Sequence, residues 1–410
     1  MPTLSTTLGK NMQLKAQFGH KSRPAGGNFG LGWTVYSTYS RAKRRLPTEA
    51  THAPPRSKVS SLPDRSEILE RFSTLPESRR GEAIRKVDAL YELDKESARQ
   101  QLEWIARLPA PRKAPTIPTR GELAHLVRRM RGELNRTHPG TPELIEHFVG
   151  LLVNEYAQVG AERHCPLLLG PPGTGKTKFV KDYARTLGRE FSKIDLGGLN
   201  DPHELRGFHA TYLNSRPGHI INALVGCETT NPIILLDEID KTGTHRGQVQ
   251  DVFLALLDPD NHGVFIDGYL DIPYDMSTVT WVASANSLEG IRMPLLDRLY
   301  VIELPGYSAE QKLAIARDAL LPEILGTYGF GFGFGDSVDI PEAVLERLVE
   351  LNQGDPGLRT LRKWLQSLVT KSLVANLEGI ELGLTPNNLA SLLGLDDLVE
   401  RERQVPGSYL

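Results

Sequence analysis

The chain has 410 residues, 40% of them hydrophobic and 24% charged, enough for two or three packed modules around ordinary cores. No apolar run reaches the roughly 18 residues that a spanning helix needs, and the amino terminus lacks the continuous apolar stretch of a signal peptide. Membrane contact and secretion are therefore not expected, the compartment expected is the cytoplasm, and Cys165 and Cys227 read as buried thiols, too few for a disulfide framework or zinc site.

The first 60 residues are set apart by charge. They carry Lys10, Lys15, Lys21, Arg23, Arg41, Lys43, Arg44, Arg45, Arg56 and Lys58 against Glu49 alone, while the whole chain has a net charge of −2. The remaining body is acidic, which argues against a nonspecific nucleic-acid coat and confines any polyanion contact to this segment. Its Gly, Ser, Thr and Pro content without periodicity predicts a flexible basic arm over residues 1–65. An acid-poor composition rich in Arg and Ser also fits an organellar targeting segment or a nucleic-acid tether, and both alternatives stay open.

From Ile68 to Leu108, apolar residues recur at helical spacing: Ile84, Val87 and Tyr91, then Ala98, Leu102, Ile105 and Leu108. A helical module over 66–108 follows. Pro109, Pro111, Pro115 and Pro118 then remove amide donors and clash with preceding turns, so residues 109–140 read as a Pro-rich linker followed by a helix around Glu122 to Arg136. After a further helix from Pro142 to Gln158, short β-branched runs alternate with amphipathic helices. The strands predicted are Leu167 to Leu169, Phe191 to Leu196, Ile233 to Leu236, Val279 to Ala283 and Tyr300 to Leu304. This is the signature of an α/β fold with a parallel sheet, assigned to residues 141–307. Past Pro305 the strand pattern stops, and helices at Pro341 to Leu351 and Leu358 to Val369 predict a smaller helical domain over 308–375, with 376–410 as a C-terminal tail. Between them, Tyr328-Gly-Phe-Gly-Phe-Gly-Phe-Gly335 is expected to be a loop whose Phe side chains pack locally, with contact to a partner as the alternative.

The chemistry is carried at the ends of the strands, where open α/β sheets bind ligands. Gly170-Pro171-Pro172-Gly173-Thr174-Gly175-Lys176-Thr177 matches the P-loop pattern between a strand and a helix bearing Phe179, Val180, Tyr183 and Leu187 on one face. In such a Walker A loop, backbone N–H groups wrap phosphates, Lys176 reaches the outer phosphate oxygens and the Thr177 hydroxyl ligates Mg²⁺. Ile233-Ile-Leu-Leu-Asp237-Glu238 ends a buried strand in adjacent carboxylates, as a Walker B motif does. Asp237 would hold the Mg²⁺ shell and Glu238 would polarise the attacking water. Val279-Thr-Trp-Val-Ala-Ser-Ala-Asn286 ends another strand in an amide suited to that water or to the γ-phosphate. ATP and Mg²⁺ are the cofactors expected.

Further stretches resemble the AAA+ module of the Lon family. They are Leu196-Gly-Gly, Glu204-Leu-Arg-Gly207, Thr211-Tyr212-Leu213, Pro217-Gly218, Leu235-Leu-Asp-Glu-Ile-Asp-Lys241, Leu257-Asp-Pro259, Tyr269-Leu-Asp-Ile-Pro273, Leu295-Leu-Asp-Arg298 and Ile302-Glu-Leu-Pro-Gly306. Upstream, Leu102-Glu-Trp-Ile-Ala-Arg-Leu-Pro109 resembles the helical segment before the Lon ATPase, so the likeness covers about Arg71 to Val369. It implies a P-loop NTPase sheet domain followed by a helical lid and preceded by a helical module. It also implies a homo-hexamer in which Asn286 is sensor 1, Arg298 the arginine finger, Arg359 the sensor 2 arginine, and Tyr212 with Leu213 a pore loop gripping polypeptide. Leu358, Leu361, Leu365 and Leu368 form the packed stripe of the last helix, which leaves Arg359 off that stripe.

The departures from the family shape the functional expectation. Only 51 residues follow Arg359, too few for a Ser-Lys protease domain, and Ser367 with Lys371 reads as an exposed helical pair. The basic arm is expected to stand where the family has its large N-domain. The function expected is an ATP-hydrolysing ring motor that unfolds or remodels proteins without its own protease. Two alternatives remain, a nucleic-acid-associated ATPase recruited through residues 1–60 and an ATP-dependent assembly switch.

Overall fold

The computed structural model describes residues 62–93, 95–110, 119–157, 165–212, 215–242, 246–258, 263–329, 338–380 and 382–395, all within the compact unit Pro55–Leu410. Residues 1–61 of the basic arm, linker residues 111–118, Leu213 and residues 330–335 of the Gly-Phe run lie outside the described residues, while Asp64 and Arg65, placed by the sequence at the end of the arm, cap and begin the first helix. The described residues open with three helices, α1 (Arg65–Glu70), α2 (Glu77–Glu92) and α3 (Glu96–Arg107). Helix α3 buries Ala98, Leu102 and Ile105, the stripe its spacing predicts. Helix α4 (Arg120–Thr137) begins at a capping box in which Thr119 and Glu122 satisfy each other's backbone N–H groups. It is followed by α5 (Pro142–Ala157).

The sheet domain then runs β1 (Cys165–Leu169), α6 (Lys176–Leu187), β2 (Phe191–Asp195), α7 (Pro202–Arg206), α8 (His219–Val225) and β3 (Ile233–Asp237). After a 3₁₀ turn at Ile239–Lys241 come α9 (Arg246–Leu256), β4 (Val264–Ile266), β5 (Pro273–Asp275), β6 (Thr280–Ala285), α10 (Met293–Leu296) and β7 (Leu299–Glu303). The five predicted strands are β1, β2, β3, β6 and β7, and they form one parallel sheet in the order β2-β3-β6-β1-β7. Burial explains which strands are central. Ile233 to Leu236 are all fully buried, as residues covered on both faces must be, whereas β2 and β7 each carry two exposed residues and lie at the edges. Ile233 and Leu235 join an apolar cluster with Met130, Phe148, Phe179 and Tyr183, while Ile234 and Leu236 join one with Phe253, Leu205 and the α1–α3 residues Phe72, Leu102 and Ile105. The helical module is thus packed into the same core as one face of the sheet. Strands β4 and β5 form a separate antiparallel hairpin, absent from the sequence-based expectation.

The chain continues through α11 (Ala309–Ile315), a π turn at Ala316–Leu320, α12 (Leu321–Gly329), α13 (Glu342–Leu351), α14 (Arg359–Leu377) and α15 (Leu389–Leu393). These helices share a third apolar cluster that includes Leu361, Leu365 and Leu368. Two expectations are corrected here. Tyr328 and Gly329 close α12 instead of opening a loop, with Tyr328 meeting Thr370 Oγ1 at 3.2 Å. Helix α14 runs eight residues past Val369 because Leu373 and Ala375 continue its buried face, and Leu389 of α15 packs into the same cluster. Cys165 and Cys227 are buried, and burial pushes their thiols up to about 12 and about 11. No helix among the described residues is long and apolar enough to cross a membrane.

Candidate functional site

Strand β1 delivers the chain into the loop 170–175. Gly173 and Gly175 adopt φ of +84° and +86°, backbone conformations that a side chain would strain. Gly175 caps α6 with no side-chain hydrogen bond, so the first N–H groups of that helix stay available to an anion lying in the loop. Lys176 is buried behind them. Its Nζ donates to Gly170 O at 2.5 Å, Pro171 O at 3.0 Å and Asn286 Oδ1 at 2.9 Å. Burial depresses its pKa, against the opposing pull of Asp237, Asp240 and Glu238. These three hydrogen-bond partners are neutral oxygens, which leaves the ammonium charge to answer a polyanion.

The carboxyl end of β3 supplies the acids. Thr177 Oγ1 donates to Asp237 Oδ2 at 3.3 Å, and Ser284 Oγ donates to Asp237 Oδ1. Lys193 Nζ reaches Asp237 Oδ2 at 3.3 Å and Asp195 Oδ2 at 3.4 Å. Burial works against the Lys193 charge, but Asp237 and Asp195 prevail and raise its pKa. Glu238 has a φ of +59°, a left-handed conformation that costs a side-chain-bearing residue about 1–3 kcal/mol and recurs at functional sites. Its N–H donates to Ser284 Oγ at 3.1 Å, and its Oε1 accepts from Lys241 Nζ at 2.7 Å. One turn on, Asp240 Oδ2 accepts from the N–H groups of Asn286 at 3.0 Å and Ser287 at 3.2 Å, which fixes the turn where β6 ends. Lys176 thus meets Asn286 and the adjacent Thr177 meets Asp237, with Glu238 next to Asp237 in the chain.

The helical domain closes on this loop through one backbone bond and one tyrosine hydroxyl. Leu358 N donates to Gly173 O at 3.0 Å, and Tyr307 OH donates to Thr174 O at 2.8 Å. A Cβ added to Gly173 would meet Arg359 Cβ at 3.3 Å, so Arg359, exposed at the start of α14, stands directly over the P-loop. Ser284, Lys193, Asp240 and Tyr307 were not singled out from the sequence. Ser284 and Asp240 lie two residues from Asn286 and Glu238, a proximity that marks them only once the strands are aligned.

Arg298 and Tyr212 lie elsewhere. Arg298 precedes β7, whose Leu299 pairs with Cys165 and whose Glu303 pairs with Leu169, so Arg298 sits at the opposite end of the sheet from Gly170. Five residues of strand separate them, roughly 16 Å at about 3.3 Å per residue. Its guanidinium donates to Pro294 O at 3.0 Å and lies 3.8 Å from Asp258. Tyr212 is 68% exposed on the loop between α7 and α8.

A family model described as AAA, ATPase family associated with various cellular activities, matches residues 166–306. Over a longer span the chain is 37% identical to the peroxisomal Lon protease homolog 2 of Oryza sativa subsp. indica, across 279 residues that make up 68% of this chain and 30% of that protein. It is 36% identical to Lon protease 2 of Sorangium cellulosum over 301 residues, 72% of this chain and 36% of the relative. The chain carries an AAA module of the Lon family. A further relative, the Lon protease of Desulfovibrio desulfuricans, is 33% identical over 349 residues, 82% of this chain and 38% of that protein. The chain thus spans about a third of the length of these Lon proteases. Within the Lon-family module, Ser367 is half-buried on α14, and Lys371 Nζ donates to the Leu392 carbonyl of the same helical domain. Lys371 is exposed, as its helical spacing predicts, and Ser367 is less so.

Proposed function

We propose that this chain is an ATP-hydrolysing motor that works as a homo-hexameric ring and unfolds or remodels protein substrates. The observation that carries the reading is the convergence of Lys176, Thr177, Asp237 and Asn286, beside Glu238, at the carboxyl ends of β1, β3 and β6 beneath Arg359. The loop Gly170, Pro171, Pro172, Gly173, Thr174, Gly175 and the first turn of α6 would cradle the ATP phosphates, and Lys176 would exchange its carbonyl partners for phosphate oxygens. Thr177 and Asp237 offer oxygen donors 3.3 Å apart, a set that suits Mg²⁺, which binds through one or two protein oxygens and leaves its other positions to phosphate and water. When bound, the ion neutralises charge on the phosphates. Glu238 would orient the attacking water and accept its proton, and Asn286 would hold that water against the γ-phosphate. Arg359 would report the nucleotide to the lid. Arg298, a strand length from its own P-loop, is suited to a neighbour's nucleotide. We assign peptide hydrolysis to none of the described residues.

An exposed tyrosine on a separate loop suits an extended polypeptide, because aromatic contact with backbone needs no charge complementarity. The ten basic residues of 1–60 favour the alternative, recruitment to nucleic acid. The test is ATPase stimulation by unfolded casein and by DNA, measured on the full chain, on Tyr212→Ala and after removal of residues 1–60. Casein should stimulate the full chain and the truncated chain, and Tyr212→Ala should lose the effect. If DNA alone stimulates, with a steep salt dependence that vanishes with the arm, the remodeller reading fails and the nucleic-acid reading replaces it.

A further inference from the structure

The loop that carries Tyr212 leaves α7 at Gly207 and enters α8 at Gly218. Phe208 N donates to Arg216 O at 3.1 Å and closes its stem. A Cβ on Gly218 would lie 2.0 Å from Leu205 O and 2.5 Å from Gly207 N, so the two ends of the loop touch through bare backbone. Against this stem stands Asp267, 1% exposed, in the turn between β4 and β5. Its Oδ2 accepts from Gly218 N at 2.8 Å, while its Oδ1 accepts from Tyr269 N at 2.8 Å and Leu270 N at 3.1 Å. On the other strand of the stem, a Cβ on Gly207 would fall 2.5 Å from Oδ1 and 2.6 Å from Oδ2.

A buried carboxylate answered by peptide N–H groups is costly to keep, and burial pushes this one up to about 6 in spite of those donors. The turn alone does not require it, because one acceptor oxygen would satisfy Tyr269 and Leu270. The second oxygen is committed to the loop. The hairpin is in turn tied to the helical module, where Gln101 Nε2 donates to Tyr269 O at 2.5 Å and Lys86 Nζ meets Asp271 Oδ1 at 3.1 Å.

We propose that Asp267 is a positioning residue for the Tyr212 loop: one carboxylate oxygen holds the hairpin turn, the other holds the returning end of the loop, and Tyr212 is thereby presented on a stem fixed to the helices Arg65–Arg107. Its consequence for substrate rests on reading Tyr212 as the polypeptide contact. Asp267→Asn separates the two halves of the clamp. The amide oxygen can replace Oδ1 and keep the turn, but the NH₂ group then faces the Gly218 N–H, donor against donor.

Hydrogen exchange followed by mass spectrometry on the full chain reads the clamp itself. In the unaltered protein the Gly218 amide should exchange as slowly as that of Leu270; exchange at the rate of an unprotected peptide amide overturns the proposal. In Asp267→Asn, exchange within 205–219 should quicken by at least about tenfold, the scale of a lost hydrogen bond to a charged group, with β1 and β3 unchanged. Unaltered exchange in 205–219, or an equal rise throughout the sheet, also overturns it. In the ATPase assay the half-saturating casein concentration should rise about tenfold while the KM for ATP stays put. An unchanged casein response, when Tyr212→Ala abolishes stimulation, refutes the clamp's role in substrate engagement. If Tyr212→Ala itself leaves stimulation intact, the polypeptide reading has failed, and the exchange data still decide whether Asp267 holds the loop.

Discussion

Gly357 is where the lid meets the P-loop, and a single methyl group there tests whether that contact matters for turnover. A Cβ on Gly357 would lie 2.5 Å from Pro172 O and 2.9 Å from Gly173 C, against 3.4 Å or more for an ordinary contact. Both obstacles are backbone, so neither can rotate away, and the lid turn must back off by about 1 Å. Overpacking of this kind costs about 1–3 kcal/mol, and the adjacent Leu358 N to Gly173 O bond, worth about 1 kcal/mol, is stretched or lost. Arg359 is two residues further on and moves with the turn. Misplacing a charge-stabilising group by about 1 Å costs up to roughly 10²-fold in rate. Gly357→Ala should therefore lower kcat for ATP by about ten- to a hundredfold. Nucleotide affinity should fall only a few-fold, because Lys176 and the loop glycines are untouched. Gly354→Ala is the control, since a Cβ there meets nothing within 4 Å and neither glycine has a positive φ. Steady-state ATPase rates and fluorescent ADP titrations on both variants, with thermal melts to establish folding, make the comparison. A folded Gly357→Ala with parental turnover, or an equal loss in Gly354→Ala, would show that docking of the lid on Pro172 and Gly173 does not position Arg359.

That contact marks the limit of what the sequence discloses. Strands β1, β3 and β6 are legible because each is a short apolar run buried on both faces, and the P-loop and the Asp237-Glu238 pair are legible because each motif is contiguous. Partners that arrive from another strand are not. Lys193 meets Asp237 because β2 and β3 pair Lys193 with Leu235 and Asp195 with Asp237, and Ser284 does so because β6 lies on the other side of β3. The hairpin β4–β5 escapes a periodicity reading because its strands are three residues long, below the length at which alternation can be recognised. In the sequence the apolar pattern of α14 stops at Val369, where Thr370, Lys371 and Ser372 follow. Ser372 is nonetheless buried and Leu373 restores the stripe one turn later. Asp267 carries no motif at all, and its meaning comes from two glycines about 50 and 60 residues upstream in the chain that fold against it.

Two further predictions address the roles of the motif residues. Lys176→Ala should abolish nucleotide binding in a fluorescent-ADP titration, whereas Glu238→Gln should hold ATP while hydrolysis falls by orders of magnitude; a Glu238→Gln variant turning over at the parental rate would remove Glu238 from catalysis. The last concerns Arg298. Because Leu299 pairs with Cys165 at the amino end of β1, Arg298 cannot reach a phosphate cradled after Leu169 without crossing the length of the sheet. Its partners within the chain, Pro294 O at 3.0 Å and Asp258 at 3.8 Å, hold it near the surface, where a second copy can meet it. If it completes a neighbour's site, Arg298→Ala subunits leave their own P-loop intact but disable the adjoining one. Each variant subunit then silences a site on an unaltered copy, and an arginine finger's worth of about 10³-fold or more makes that site effectively dead. Pairing Arg298→Ala with Lys176→Ala in the same rings decides the matter. Each variant alone should be inactive, yet mixed rings should regain hydrolysis, since some interfaces combine the intact P-loop of an Arg298→Ala subunit with Arg298 of a Lys176→Ala neighbour. Stably mixed rings that stay inactive at every ratio would show that Arg298 serves the chain that carries it.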